Sequence, residues 1–192
     1  RLLTRAGCLV SIGHTTANEA EFDAVVAAGA RLTTHVFNGM SGIHHRSPGV
    51  AAFALTNDAV SASLIADGIH VHPRVLRLGF AMLGSERVVL VTDAIGWGAP
   101  SIGDARFVLR DGAPRLPDGT LAGSVLTMDR AIRVCVAAGI DLAAALRAAS
   151  TNPARLLGLN DRGVIAVSRR ADLVALTPEL QIEEVWIAGS AS

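Results

Sequence analysis

The sequence predicts an α/β fold with a parallel sheet, on three observations. Short apolar runs alternate with helical patterns through residues 8–94. Repeated strand-helix units connect by right-handed crossovers, which make neighbouring strands parallel. Hydrophobic residues make up 51% of the 192-residue chain, enough for a buried core. The chain is therefore expected to form a substantial α/β unit.

The first strand is predicted at 8–13, where the run CLVSIG is short and apolar. A helix follows at 18–30, because Asn18 is a good N-cap and Gly29 is typical of a helix end. The other elements of this half are strands at 32–37, 60–67 and 87–94, a short helix before the third strand and a helix at 72–84.

The pattern changes beyond residue 100. Two Asp-Gly pairs within 107–123 predict a hairpin. The remainder reads as helices at 126–139, 141–150 and 152–158 and then three short strands. We expect a main unit over residues 1–160 and part of a small β-domain over residues 161–192.

Composition excludes several classes of partner. The chain has 17 arginines, no lysine and 17 acidic residues, with no basic run, so nucleic acid is not an expected partner. No apolar stretch approaches the ~20 residues that a membrane helix needs. Cys8 and Cys135 lie in apolar contexts, which predicts buried, reduced thiols in a cytoplasmic protein. Because the chain lacks an initiator Met, we expect it to begin inside a longer sequence.

Ionisable residues follow each of the four leading strands. His14 follows the first, His35 ends the second, Asp67 and His70 follow the third, and Asp93 follows the fourth. In a (β/α) barrel the carboxyl ends of the strands form one face, where such residues converge. One such residue alone is weak evidence, but four successive strands with the same feature predict an active site.

The residue types suit hydrolysis assisted by a metal ion. Two neutral imidazoles, His14 and His35, can bind Zn²⁺ or a similar ion and leave room for a water molecule whose pKa falls to ~7. Asp93 could take the proton of that water and return it to the leaving group.

Other polar residues have simpler interpretations. We expect His44 and His45 to lie in a solvated loop, and His72, which precedes a proline, to mark a helix start. Asp67 is expected to be a turn residue or to act behind the residues that contact the substrate, rather than to bind a metal.

Six motifs occur in order along the chain: GHTTAN, THVFNGM, RSPG, LIADGIHVHP, LVTDA and GTLAGSVLTM. Taken together, they resemble the N-acetylglucosamine-6-phosphate deacetylases of the amidohydrolase superfamily. The resemblance implies the C-terminal half of a (β/α)₈ TIM-type barrel, strands five to eight, with part of a small flanking β-sandwich.

The resemblance also implies roles for the strand-end residues. His14 and His35 match the two metal-binding histidines, and Asp93 matches the catalytic aspartate. The implied metal is Zn²⁺, with Fe²⁺, Mn²⁺ or Co²⁺ as alternatives. His70 matches a histidine that contacts the sugar, so the implied reaction is hydrolysis of the acetamide of N-acetylglucosamine 6-phosphate.

Further matches concern the substrate phosphate and the oligomer. Asn38 and Gly39 match a pair that binds the phosphate; the family often has Ala where Gly39 stands, which matters little if the backbone N–H makes the contact. Arg46 matches an arginine that reaches into the neighbouring subunit of a homodimer. Leu121 begins a stretch, ending at Ser124, that resembles a loop packed against the substrate.

The family also uses a metal-binding glutamate and a second substrate-contacting histidine on earlier strands, and neither is in this sequence. We therefore expect the chain to be a fragment of the enzyme. Two alternatives remain: an amidohydrolase acting on a different N-acyl sugar or cyclic amide, and a truncated, non-catalytic half-barrel.

Overall fold

A four-stranded parallel sheet lies at the centre of the molecule, in the order β1-β2-β3-β4. The computed structural model describes residues 1–95, 101–102 and 105–191. Each strand pairs in parallel with the next, which confirms the predicted α/β fold. The strands are β1 (Ser11–Ile12), β2 (Leu32–Thr33), β3 (Ser61–Ile65) and β4 (Val88–Val91).

All four strands are shorter than predicted, and β2 shows why. The sequence predicts a strand over 32–37, but regular pairing ends at Thr33. His35 and Phe37 have φ values of 31° and 82°, in the left-handed region that extended strands do not use. Hydrophobicity and β-branching do not reveal this change in backbone direction.

Four helices accompany the sheet strands: α1 (Leu2–Arg5), α2 (Glu19–Ala27), α3 (Val50–Thr56) and α4 (Pro73–Arg87). A capping box starts α2, in which Asn18 Oδ1 accepts from the Glu21 N–H at 3.0 Å and Glu21 Oε2 accepts from the Asn18 N–H at 2.9 Å. His72 caps α4, as its position before a proline indicated. Gly84, with φ 67° and ψ 179°, interrupts α4 near its end.

The helical region after β4 contains α5 (Met128–Ala137), α6 (Leu142–Leu146), a π-helical turn (Arg147–Thr151) and α7 (Asn152–Leu156). The helix predicted over 141–150 is therefore divided between α6 and the π-helical turn. The Asn152 amide donates to the carbonyls of Ser85 and Val88, each at 2.8 Å. These bonds tie the start of α7 to the end of α4 and the start of β4.

The remaining strands form small antiparallel units. The predicted hairpin consists of β7 (Val108–Arg110) and β8 (Ala113–Arg115), joined at an Asp-Gly pair. The tail contains the three predicted strands, β9 (Leu173–Leu176), β10 (Ile182–Ile187) and β11 (Ser190–Ala191), in the order β11-β10-β9. Ser192, at the end of the predicted β-domain, lies outside the described residues. The other two strands of the described residues are β5 (Ser101–Ile102) and β6 (Ala105–Arg106).

The hydrophobic core surrounds β3, which is buried along most of its length. Cys135 belongs to this core, and burial raises the pKa of its thiol to about 12. Cys8 is exposed ahead of the edge strand β1, so the prediction that both thiols are buried is wrong for Cys8. Among the described helices, none has the length and hydrophobicity needed to cross a bilayer.

Candidate active site

The predicted site residues occupy the turns that follow the carboxyl ends of the sheet strands. His14, His35 and Asp93 have φ values of 46°, 31° and 51°, which non-glycine residues rarely adopt. Each such residue costs about 1–3 kcal/mol, and strained residues of this kind cluster at functional sites. The strain therefore agrees with the interpretation of this edge as a site.

The structure brings His14 and His35 together. Their Nε2 atoms are 3.0 Å apart, and their rings meet nearly edge to face with centroids 4.8 Å apart. His35 is buried, whereas His14 is exposed. Among the described residues, neither imidazole forms a hydrogen bond with a carboxylate. The two Nε2 atoms are thus each other's nearest polar side-chain partners, at a distance that also suits a hydrogen bond from one ring to the other.

The backbone at His35 is held by Ser63 of β3. The hydroxyl of Ser63 accepts the His35 N–H at 2.7 Å, and the Ser63 carbonyl accepts the Val36 N–H at 2.8 Å. These bonds replace the regular ladder where β2 turns away. Sequence reasoning missed Ser63; the available signal was a serine in the middle of a largely apolar strand.

Gly39 packs directly against the His14 ring. A parallel bridge between Thr15 and Met40 holds the two loops together. The φ of Gly39 is +59°, and a Cβ atom added there would lie 2.8 Å from His14 Nδ1. An alanine at this position would therefore require the imidazole to move. The sequence analysis expected the exchange of Gly and Ala here to matter little, and it did not take this contact into account.

The two histidines suit a divalent cation as part of its ligand set. Two metal–nitrogen bonds of about 2.0–2.1 Å can join nitrogens separated by this distance. Imidazole nitrogen is also a good donor to Zn²⁺, Fe²⁺ and related ions. Within the described residues, no cluster of three or more His, Cys, Asp or Glu side chains could hold a metal. The pair thus fits as two ligands of a larger set.

His70 and Asp67 form a separate pair after β3. His70 Nδ1 lies 2.6 Å from Asp67 Oδ2, and the side chains are 4% and 5% exposed, respectively. Asp67 is thus a turn residue, as its sequence context predicted, and it is bonded to a predicted substrate contact.

Residues 121–124, the stretch that resembles a substrate loop, contact the backbone at Asp93. The Asp93 carbonyl accepts the Ser124 N–H at 2.8 Å, and the buried Ser124 hydroxyl donates to the carbonyl of Thr92. A Cβ atom added to Gly123 would lie 2.9 Å from the Asp93 carbonyl oxygen. The loop therefore fixes the backbone that carries Asp93. Leu121 lies at its start, bridged to Arg115.

Two predicted phosphate ligands differ in their placement. Asn38 lies beside the histidine pair, because its side-chain amide donates to the His35 carbonyl at 3.1 Å. Arg46 lies in an exposed loop with His44 and His45, and its backbone N–H donates to His44 Nδ1 at 3.3 Å. Within the described part of the chain, the Arg46 side chain makes no hydrogen bond or ion pair.

Comparison with known proteins identifies the family of the chain. Residues 7–191 match the Amidohydrolase family. The chain is 38% identical to an N-acetylgalactosamine-6-phosphate deacetylase of Escherichia coli O157:H7 over 98% of its own length and 52% of the relative. It is 36% identical to an N-acetylglucosamine-6-phosphate deacetylase of Bacillus subtilis over 95% of its length and 48% of the relative.

A solved structure shows the same fold. It is a mutant N-acetyl-D-glucosamine-6-phosphate deacetylase of Mycobacterium smegmatis in complex with N-acetyl-D-glucosamine-6-phosphate. The two chains are 36% identical with a TM-score of 0.91, over 98% of this chain and 52% of that one. The chain spans about half the length of these relatives. With the family match over nearly all its residues, the chain belongs to the amidohydrolase family.

Proposed function

We propose that the complete protein hydrolyses the acetamide of N-acetylglucosamine 6-phosphate to glucosamine 6-phosphate and acetate. One observation carries the proposal: two histidines whose Nε2 atoms lie 3.0 Å apart belong to a chain similar, over almost its whole length, to a deacetylase solved in complex with N-acetyl-D-glucosamine-6-phosphate. The family and the fold support hydrolysis as the class of reaction. The imidazole nitrogens of His14 and His35 support the participation of a metal ion.

His14 and His35 would hold a divalent cation, which we propose to be Zn²⁺, together with ligands from outside the described residues. When bound, such an ion polarises the acyl oxygen and makes a coordinated water acidic near neutral pH. Asp93 accepts the proton of the attacking water and delivers it to the amide nitrogen, which leaves poorly unless protonated. The fixed backbone around Asp93 supports this role, because proton transfer requires a constant donor–acceptor distance.

Asn38, Gly39 and Arg46 bind the substrate phosphate in this proposal. An amide and a backbone N–H donate hydrogen bonds, and a guanidinium suits a doubly charged phosphate. Arg46 acts across a homodimer interface, which is supported by its exposed position in a loop. His70 contacts the sugar and Leu121 packs against it.

The finer architecture belongs to the same proposal. Strands β1 to β4 correspond to strands five to eight of a (β/α)₈ barrel within residues 1–160, and residues 161–192 form part of a small β-sandwich. A partial barrel leaves unpaired strand edges, so the remaining strands would come from the other half of the complete protein. A cytoplasmic location is supported by the two free thiols.

N-acetylgalactosamine 6-phosphate is a second candidate substrate. It is favoured by the name of the Escherichia coli O157:H7 relative, which is 38% identical to this chain. The two sugars are epimers at one hydroxyl, so the acetamide and phosphate contacts proposed above serve both.

The test compares hydrolysis of both 6-phosphates and of free N-acetylglucosamine by the complete protein and by Arg46→Ala. We expect the complete protein to prefer a 6-phosphate, and the substitution to raise KM much more for the phosphorylated sugar than for the free one. His45→Ala, in the same exposed loop, is the control for loop perturbation. Equal hydrolysis of phosphorylated and free sugars would overturn the phosphate assignment, and faster hydrolysis of the galacto epimer would favour the second candidate.

A further inference from the structure

The turn Asp67-Gly68-Ile69-His70 follows β3 and uses both oxygens of one carboxylate. Asp67 Oδ1 accepts the backbone N–H groups of Ile69 and His70, each at 2.8 Å. Asp67 Oδ2 lies 2.6 Å from His70 Nδ1. Gly68 has a φ of +78°, so the chain reverses here at a residue that adopts this conformation without strain. The carboxylate therefore fixes both the backbone of the turn and the imidazole at its end.

The contact between Asp67 and His70 requires a proton, because two lone pairs at this distance would repel each other. Burial alone would raise the pKa of the Asp67 carboxyl, but the hydrogen bonds from the His70 ring and from the backbone of Ile69 and His70 lower it below the ordinary value. The carboxyl is thus ionised at neutral pH and has no proton to share. The proton in the contact must lie on His70 Nδ1.

We propose that Asp67 is a positioning residue that holds a proton on His70 Nδ1 and orients the ring, so that Nε2 is the ring atom that meets the substrate. The identity of that substrate rests on the proposed function; the protonation and the orientation do not. An imidazole with its Nδ1–H bonded to a buried carboxylate has a fixed tautomer and one fixed ring orientation.

Asp67→Asn tests the proposal with little change in shape. The amide oxygen of Asn can still accept the two backbone N–H groups, but its NH₂ group faces Nδ1 and donates to it. The ring proton must then move to Nε2, the wrong position for the substrate. We expect kcat/KM of the complete protein to fall by about tenfold or more, with metal content and Tm close to those of the wild type.

Asp118→Asn is the matched control. Asp118 also precedes a glycine and also accepts a backbone N–H two residues on, that of Thr120 at 2.9 Å. Among the described residues, however, it has no histidine partner. We expect this variant to keep wild-type kcat/KM. The comparison then distinguishes the loss of a negative charge in an Asp-Gly turn from the loss of the hydrogen bond to His70.

Two further measurements keep the proposal falsifiable. In a His70→Asn background, Asp67→Asn should change kcat/KM by less than about twofold, because Asp67 acts through the ring. Imidazole ¹⁵N NMR of the wild type should show a protonated Nδ1 on His70, and this readout holds whether or not the proposed substrate is correct. An unprotonated Nδ1, an unchanged kcat/KM in Asp67→Asn, or a further loss in the double variant would overturn the proposal.

Discussion

The histidines after β1 and β2 differ sharply from the histidine after β3. His14 and His35 direct their Nε2 atoms at each other at 3.0 Å, with no carboxylate bonded to either ring among the described residues. His70 instead meets the Asp67 carboxylate at 2.6 Å. The neighbours therefore suit the same side chain to two proposed roles: two ring nitrogens close enough to share one cation, and a ring whose proton is fixed by a carboxylate.

The backbone supports of His35 and Asp93 also differ. The His35 main chain is held by the Ser63 hydroxyl on the neighbouring strand, whereas the Asp93 main chain is held by a loop thirty residues further along the chain. The metal-binding and the proton-transferring parts of the proposed site are thus supported by separate elements. A substitution in one part should leave the function of the other intact.

The largest effect is expected for Asp93→Asn. The amide has nearly the same size but cannot accept and return a proton, so kcat of the complete protein should fall by about 10²–10⁴-fold. Metal content, measured by elemental analysis, should stay at the wild-type level because the histidine pair is untouched. Loss of metal in parallel with activity would instead make Asp93 a ligand.

A smaller loss is expected for Gly123→Ala. The new Cβ would lie 2.9 Å from the Asp93 carbonyl oxygen, and this backbone atom must shift. Displacement of a catalytic group by a fraction of an ångström to 1 Å lowers kcat by about 10- to 100-fold. The control is Gly119→Ala, which has a similarly positive φ of +91° but meets only the end of the Arg110 side chain. Equal losses of kcat in the two variants would contradict the proposal that Gly123 helps to hold the backbone of Asp93.

The smallest effect is expected for Gly39→Ala, on the metal-binding side. The His14 ring can rotate away from the new Cβ, so we expect only a severalfold weaker metal affinity in a titration, with kcat at saturating metal nearly unchanged. Gly42→Ala, in the same loop, adds a Cβ with no atom within 4 Å and should have no effect. A weaker affinity in both variants would indicate general disturbance of the loop.

The sequence was sufficient to predict the alternation of strands and helices, because hydrophobic runs, Asn18 and the Asp-Gly turns act locally. It also placed His14, His35 and Asp93 at strand ends. It could not show that β2 stops at Thr33, since the left-handed backbone at His35 is held by a hydrogen bond that its N–H donates to the distant Ser63.

The sequence also did not predict the contacts that hold the site residues in place. Ser124 and Gly123 contact Asp93 across a separation that local patterns do not encode. Asp67 was recognised as a turn residue, but its bond to the His70 ring depends on the exact path of the turn. Residue types and spacing predict which groups carry chemistry, while tertiary contacts decide how each is held.

The central claim is that His14 and His35 bind one divalent cation together, and metal content tests it most directly. The complete protein, purified without added metal and measured by elemental analysis, should retain a divalent ion that His14→Ala and His35→Ala each lose. His45→Ala, a histidine in the exposed loop, should keep the wild-type content. Unchanged metal stoichiometry in both His14→Ala and His35→Ala would contradict the claim.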